Sequence, residues 1–273
     1  WQGDGYFPAF VVNHVSDECL SQWRDWGEAM TGYNYKFGGL KIDGGLLDWW
    51  GYDPIRKINE FIEKVPESPL NQDLKGTRVA EARFLRAFSY FAMAKRYGGV
   101  PLILKAQQLT DPEEELYPKR DTEEAVYNFI ISETSEIANE LPEEAGSGNL
   151  GRATKYAALA LKSRAALYAA SIAQFGKVQL DGVVGIPAEK AKDFYQISYD
   201  ASKEIINSGK FALYDQDADK VTNFKNIFLV KNNSEVIFAK RHDSSNGLIT
   251  GGNGWAVDFF QCPRPQGWNR GNL

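Results

Sequence analysis

The chain has 273 residues, 43% of them hydrophobic and 25% charged, which is the composition of a globular protein with a core of its own and not of a disordered chain. Its formal net charge of −5, with no basic stripe in either half, argues against a nucleic-acid surface. Its longest apolar runs are too short to span a membrane. The two cysteines, Cys19 and Cys262, leave a single disulfide and two separate thiols equally open.

Residues 1–50 are predicted to be a loop-rich segment that carries aromatic side chains among glycines. The stretch Thr31 to Leu47 holds five glycines, a composition typical of an exposed loop. Packing explains an aromatic residue on a helix face, whereas one among glycines often serves a ligand or a partner. The alternative for each ring is that it seals the loop onto the helices. The candidate ligand-binding residues of this segment are Tyr33, Tyr35, Trp49 and Trp50.

Residues 51–230 are predicted to form a core of helical repeats. Between Val79 and Tyr97 no glycine or proline interrupts a run of strong helix formers, and apolar residues recur every three or four positions. The apolar arc is too wide for one contact, so this helix is expected to touch partners on two sides. Gly98 or Gly99 is expected to supply the left-handed residue that ends it, and an extended segment from Val100 to Leu104 should follow.

The pattern recurs 78 positions later, and a helix that starts with Tyr and ends with Pro precedes each copy, at Tyr52 to Pro66 and at Tyr127 to Pro142. Two helix-turn-helix units are therefore predicted, which must stack to bury their apolar faces. The matching residues are Arg86 and Arg164, Ala87 and Ala165, Tyr90 and Tyr168, Ala92 and Ala170, Tyr97 and Phe175, and Gly98 and Gly176.

Capping patterns predict where several helices begin. Asp121 is predicted to cap the helix that follows it, with Glu124 in the reciprocal capping position, and Thr154 to cap the second long helix. A helix from Pro187 to Asn207 should follow, and a short one from Asn223 to Leu229 could complete a third pair. The residues expected on the buried face of the helix from Pro187 are Tyr195, Tyr199 and Ile206.

Three stretches of this core resemble the signature blocks of SusD/RagB-type outer-membrane nutrient-binding proteins. They are AEARFLRAFSYFAMAKRYGGVPLI (80–103), KRDTEEAVYNFI (119–130) and GRATKYAALALKSRAALYAA (151–170). Their order and the lengths between them also fit, and the resemblance runs from about Trp50 to about Lys240. It implies a mainly α-helical fold of stacked tetratricopeptide-like helix-turn-helix pairs with long aromatic-rich loops.

The resemblance also implies a role and a location. Members of this family capture oligosaccharide at the bacterial cell surface without catalysis and deliver it to a SusC-like TonB-dependent transporter of the outer membrane. They are anchored by an N-terminal lipidated cysteine, which this chain lacks, and they are longer. The chain is therefore expected to be a fragment of one SusD-like domain, residues 1–273, in which residues 231–273 begin an irregular C-terminal portion.

The sequence contains few residues whose spacing is typical of a catalytic or metal-binding site. His14 and His242 are the only histidines and have no metal-ligand spacing. Asp215, Asp217 and Asp219 imitate the start of a calcium loop, but Lys220 stands where that loop needs glycine. No phosphate-binding loop is present, so we expect no enzyme, no cofactor and no metal. A glycoside hydrolase remains the enzymatic alternative, because any two acidic residues can meet in space.

Binding is the remaining function. Sugars present apolar C–H faces and hydroxyl groups, which suit aromatic platforms beside planar polar side chains. Residues 242–273 repeat the loop composition of the N-terminal segment, and their candidate ligand-binding residues are Asn253, Trp255, Arg264, Trp268 and Arg270. Two alternatives stay open: a member of the same family that captures peptides, and a tetratricopeptide-like scaffold that binds another protein.

Overall fold

The computed structural model describes residues 49–239, and this part of the chain is helical. Its helices are α1 (Tyr52–Lys64), α2 (Gln72–Tyr97), α3 (Glu113–Leu116), α4 (Glu123–Ile137), α5 (Lys155–Phe175), α6 (Ala191–Asn207) and α7 (Lys220–Leu229). Between residues 49 and 239 there is no strand, only one isolated bridge between Gln179 and Val184. No helix in these residues is long and apolar enough to cross a bilayer. The prediction of a mainly α-helical fold is confirmed.

The long helices stack in chain order. α2 lies between α1 and α4, α5 packs on α4, and α6 packs on α5. The prediction that the helix ending at Tyr97 touches partners on two sides is therefore confirmed. The two predicted helix-turn-helix units are the pairs α1–α2 and α4–α5, and their shared small positions, Ala87 and Ala165, are both fully buried.

The repeat also holds at Ala92 and Ala170, which are both buried, and at Gly98 and Gly176, which each end a helix, but it fails at the larger side chains. Arg86 and Tyr90 are buried in the first unit, but Arg164 is exposed and Tyr168 is 43% exposed in the second. The distance between the packed helices is similar in both units, and at such a contact it allows only small residues. The larger side chains reach partners outside the repeat, and those partners differ.

The buried face of α6 differs from the prediction. It consists of Phe194, Ser198, Ala201 and Ile205, whereas the predicted Tyr199 and Ile206 are 57% and 73% exposed. Both sets have helical spacing, so the pattern alone does not choose between them. Small residues lie at the contact because they let α6 approach α5 closely. The hydroxyl oxygens of Ser163 and Ser198 are 3.2 Å apart.

The third helix pair is not completed in the described range, since α7 does not pack closely on α6. α7 begins at Lys220, three residues before the predicted start, and Asp219 caps it by accepting from the amides of Val221 and Thr222. Its single buried residue is Asn223, while Phe224 and Phe228 are 66% and 75% exposed. The side chain of Asp215, the first calcium-loop candidate, accepts from the side chains of Lys220 and Asn223 at 2.6 and 2.8 Å.

Two of the three predicted caps are correct. Gly98 ends α2 with φ of +71°, a conformation that favours glycine, and Thr154 caps α5 by accepting from the amide of Ala157. The cap of α4 is Thr122, which accepts from the amide of Ala125, so the prediction of Asp121 was wrong. The carboxylate of Asp121 accepts from the amide of Leu102 at 2.8 Å instead.

The segment after α2 is extended, as predicted, but side chains and not a neighbouring strand satisfy its backbone. The Tyr90 hydroxyl accepts from the amide of Ile103 at 2.7 Å and donates to its carbonyl at 3.1 Å. The Asn59 side chain donates to the same carbonyl at 2.9 Å, and Glu63 accepts from the amide of Ala106 at 2.8 Å. These bonds fasten the segment to α1 and α2, which explains why it is ordered without a sheet.

Buried charges join α2 to α4. Arg86 donates to Glu133 at 2.9 Å, and Arg83 pairs with the same carboxylate at 3.1 Å. Arg86 also donates to Asn59 of α1 at 3.0 Å, so three helices meet in one polar network. Removing one partner of such a network leaves an uncompensated buried charge, which is more costly than the pair is stabilising.

Candidate ligand-binding surface

The side chain of Trp50 forms a half-exposed aromatic platform immediately before α1. Its ring is 51% exposed, yet two other rings hold it. The Tyr97 ring meets it edge-on at a centroid distance of 5.1 Å, and the Tyr52 ring lies 5.2 Å away at a tilt of 55°. We call these three residues the Trp50 platform. One face of an indole that is fixed in this way remains available to a ligand.

Each of the two tyrosines is fixed by the fold. Tyr52 is the first residue of α1, and its hydroxyl donates to the carbonyl of Pro101 at 2.6 Å. Burial raises the pKa of Tyr52 far above its ordinary value, so this hydroxyl stays protonated and remains a donor. Tyr97 is the last residue of α2. The platform therefore joins the start of one helix to the end of its partner.

A guanidinium group lies beside the platform. Arg120 donates through Nη2 to the carbonyl of Tyr97 and through Nε to the carbonyl of Gly99 at 2.7 Å. These are carbonyls at the negative end of α2, where a cation is favourable. Arg120 is exposed, and no carboxylate of residues 49–239 forms an ion pair with it. Its remaining N–H groups are thus available for hydroxyl or carboxylate oxygens.

The turn after α2 rests on the loop between α5 and α6. Gly99 donates its amide to the carbonyl of Val183 at 2.7 Å. Gly185, at φ of +89°, donates its amide to Glu123 Oε2 at 2.6 Å. A Cβ on Gly99 would lie 1.9 Å from the carbonyl oxygen of Asp121, so only glycine fits between these backbones.

Of the predicted ligand-binding residues, Trp49 and Trp50 lie within the described range. Trp50 is exposed as a platform should be, and Trp49 is half-buried. Tyr97, Arg120 and Glu123 were not predicted as parts of a site, since they lie 47 to 73 positions away from Trp50 and no local pattern marks them. Seven predicted residues lie outside the described range: Tyr33, Tyr35, Asn253, Trp255, Arg264, Trp268 and Arg270.

A polar groove of about 470 Å³ lies between α5 and α6. Lys155 and Glu204 pair across it at 3.0 Å, and the ring that lines it, Tyr156, is 4% exposed. The groove therefore offers no aromatic face. Nor do residues 49–239 contain a group of three or more His, Cys, Asp or Glu side chains that could hold a metal ion.

Stacked helix pairs with an aromatic platform at a helix junction define the class: a helical-repeat protein of the tetratricopeptide type with a surface suited to a ligand. The family model described as "Starch-binding associating with outer membrane" matches residues 9–167. The chain belongs to this SusD-like family.

Individual relatives agree with this assignment. The chain is 29% identical over 200 residues to a SusD-like protein of Bacteroides ovatus, a match that covers 71% of this chain and 32% of the relative. A crystal structure of a SusD-like protein from Bacteroides fragilis is 26% identical, with a TM-score of 0.63, and covers 90% of this chain and 42% of that one. A laminarin-binding SusD-like protein shares the fold at 20% identity and a TM-score of 0.64, over 86% of this chain and 46% of that protein. The chain thus spans about a third to a half of these relatives.

Proposed function

We propose that this chain captures oligosaccharide without chemical turnover, and that the Trp50 platform is part of the capturing surface. The single observation that carries the proposal is the Trp50 ring, which is 51% exposed although two tyrosine rings hold it in place. An exposed tryptophan without neighbours would lose conformational entropy when a ligand bound. This one has already been ordered by folding, so stacking a sugar ring on it costs less.

Two kinds of contact follow from the geometry. The apolar C–H face of a sugar ring stacks on the indole, and the free N–H groups of Arg120 donate to hydroxyl oxygens at its edge. The family description, starch-binding, supports a carbohydrate as the ligand class. The remaining candidates, Tyr33, Tyr35, Trp49, Asn253, Trp255, Arg264, Trp268 and Arg270, are proposed as further ligand-binding residues.

The cellular part of the proposal follows from membership of the family. The whole protein would sit at the cell surface of a bacterial outer membrane, held by an N-terminal lipid anchor, and would pass its ligand to a SusC-like TonB-dependent transporter. The printed description of the family supports association with the outer membrane. The transporter as partner and the lipid anchor rest on the resemblance, and purification of the native protein with its membrane partners would test both.

Trp50→Ala tests the binding proposal. Losing a stacked ring should weaken glycan binding by about 1–3 kcal/mol, which is roughly tenfold or more, since this is the size of an anchor residue's contribution elsewhere. The melting temperature should change little, because half of the ring is already in water. Affinity is measured by calorimetry or on a glycan array, with a peptide panel in parallel.

Tyr117→Ala is the matched control. Tyr117 is 79% exposed but belongs to no aromatic cluster in the described residues, so its loss should alter neither binding nor melting. Unchanged glycan affinity in the Trp50 variant would remove the platform from the site. A loss confined to peptide binding would favour the peptide-capturing alternative, and binding of neither ligand with retained capture of a protein partner would favour the scaffold. Release of cleaved glycan by the pure protein would contradict the non-catalytic reading.

A further inference from the structure

The Glu123 carboxyl group lies against the turn that ends α2. Glu123 is the first residue of α4, and its Oε2 accepts from the amide of Gly185 at 2.6 Å. A Cβ on Gly98 would lie 3.5 Å from this oxygen and 2.5 Å from the carbonyl oxygen of Val183. The carboxyl group, the loop that contains Val183 and Gly185, and the turn after Tyr97 are therefore packed together. We call residues 176–187 the docking loop.

This carboxyl group is buried without a cation. Glu123 is 6% exposed, and no Lys, Arg or His of residues 49–239 forms an ion pair with it. Arg120 donates to two backbone carbonyls, and Lys190 pairs with Glu124 at 3.4 Å. The dipole at the start of α4 favours a negative charge, and the Gly185 amide does so too. Burial outweighs the hydrogen bond and raises the pKa of Glu123 above its ordinary value.

Within residues 49–239, no second group donates a hydrogen bond to the Glu123 carboxyl group. Tyr127 stands one turn further along α4 with its hydroxyl buried and without a hydrogen-bond partner in the described residues. Its pKa is raised by burial first, then by the nearby Glu123 charge and by Tyr168 of α5. A proton on Glu123 would thus remove a buried charge that no cation of residues 49–239 pairs with.

We propose that Glu123 is a proton-dependent positioning residue of the Trp50 platform: the protonated carboxyl keeps the docking loop seated, and the carboxylate loosens it. The proposal rests on the function proposed above. The link to the ligand runs through the turn, because the loop holds Gly99, Arg120 is fastened to the carbonyls of Tyr97 and Gly99, and the Tyr97 ring supports Trp50.

The sign of the pH effect follows from linkage. A carboxyl group whose pKa is higher in the docked state than in the open one binds its proton more tightly when the loop is docked. Docking is therefore complete below the ordinary glutamate pKa of about 4.3. It weakens as the pH rises through the raised pKa of the docked state, since an open loop lets water solvate the carboxylate.

Hydrogen exchange tests the loop without any ligand. Protection of the amides of Gly99 and Gly185, corrected for their intrinsic exchange rates, is measured by NMR between about pH 5 and pH 8. Wild-type protection should fall as the pH rises. Glu123→Gln should keep high protection throughout, because the amide oxygen still accepts from Gly185 and carries no charge.

Glu124→Gln is the matched control, since Glu124 is the adjacent carboxylate and pairs with Lys190 at the surface. This variant should retain the wild-type pH dependence. The same pH dependence of protection in wild type and in Glu123→Gln would overturn the proposal, as would its loss in Glu124→Gln.

Glycan affinity tests the link to the platform. With a glycan that binds the wild type, affinity should be stronger near pH 5.5 than near pH 7.5, by up to about tenfold for each unit by which the pKa differs between docked and open states. Glu123→Gln should bind with the acidic wild-type affinity at both pH values. If wild type and variant show the same pH dependence, the positioning role is wrong. If no glycan binds at any pH, the proposed function fails, while hydrogen exchange still decides whether Glu123 controls the loop.

Discussion

The hydroxyl group of Tyr90 gives the sharpest test of how the segment after α2 is held. This hydroxyl accepts from the amide of Ile103 at 2.7 Å and donates to the carbonyl of the same residue at 3.1 Å, and the Tyr90 ring is fully buried. Tyr90→Phe keeps the ring and removes both bonds. The carbonyl retains the bond from Asn59 at 2.9 Å, but the amide loses its partner.

The magnitude follows from the group that is left unsatisfied. An unpaired buried donor costs about 1–3 kcal/mol, and because Ile103 is only partly buried we expect the lower half of that range. For a chain of this size each kcal/mol lowers the melting temperature by about 2–4 °C. The free energy of unfolding is measured by urea denaturation monitored by circular dichroism, and the melting temperature by calorimetry.

The repeat supplies the control. Tyr168 stands at the equivalent position of the second unit, is 43% exposed, and its hydroxyl makes no hydrogen bond within the described residues. Tyr168→Phe should therefore change stability by less than about 0.5 kcal/mol. Equal effects of the two substitutions would refute the reasoning, since it attributes the cost to the Ile103 amide and not to the loss of a hydroxyl as such.

Two further predictions concern packing and acid. Replacing Ala87 or Ala165 by Trp should destabilise the protein by about 1–3 kcal/mol or more, because both are fully buried at helix contacts; an unchanged melt for either variant would contradict the repeat alignment. Burial alone would raise the pKa of Glu81, but hydrogen bonds from Arg152 and a second arginine outweigh it and lower that pKa. The stability that Glu81 contributes is thus present above its unfolded pKa of about 4.3 and is lost as the pH falls through the lower folded value. Glu81→Gln should weaken this part of the acid dependence in denaturation curves recorded from neutral to acidic pH, and identical pH profiles would contradict it.

The helices were predictable because their signals are local. The interval from Val79 to Tyr97, the glycine at its end and the Thr154 cap each depend on a few neighbouring residues, and the structure confirms them. The cap of α4 was wrong by one residue for a physical reason. Asp121 and Thr122 are both good caps, and the choice between them is made by Leu102, whose amide takes the Asp121 carboxylate.

The face of α6 could not be read from its own sequence. Tyr195, Tyr199 and Ile206 have the same helical spacing as the residues that are buried. However, α6 meets α5 through small residues such as Ser198, whose hydroxyl oxygen is 3.2 Å from that of Ser163. Close approach of two helices favours Ser198 and Ala201 at the contact, and the tyrosines then turn toward water. Complementarity of this kind belongs to the pair of helices, so a pattern on one of them cannot specify it.

The exposed tryptophan of the Trp50 platform could be predicted from the sequence, whereas the residues that hold it could not. An aromatic pair before a helix can be recognised in a sequence, but what fixes it comes from three other places in the chain: the end of α2, Arg120, and the loop with Val183 and Gly185. Two of these supports, Arg120 and the loop, act through backbone carbonyls and amides, which every residue has, so the sequence does not mark them. The third is the Tyr97 ring, which lies 47 positions from Trp50 in the sequence. The stacking of the helix pairs therefore positions the Trp50 platform. If the platform binds glycan as proposed, substitutions that loosen the stack should weaken binding even where they touch no ligand.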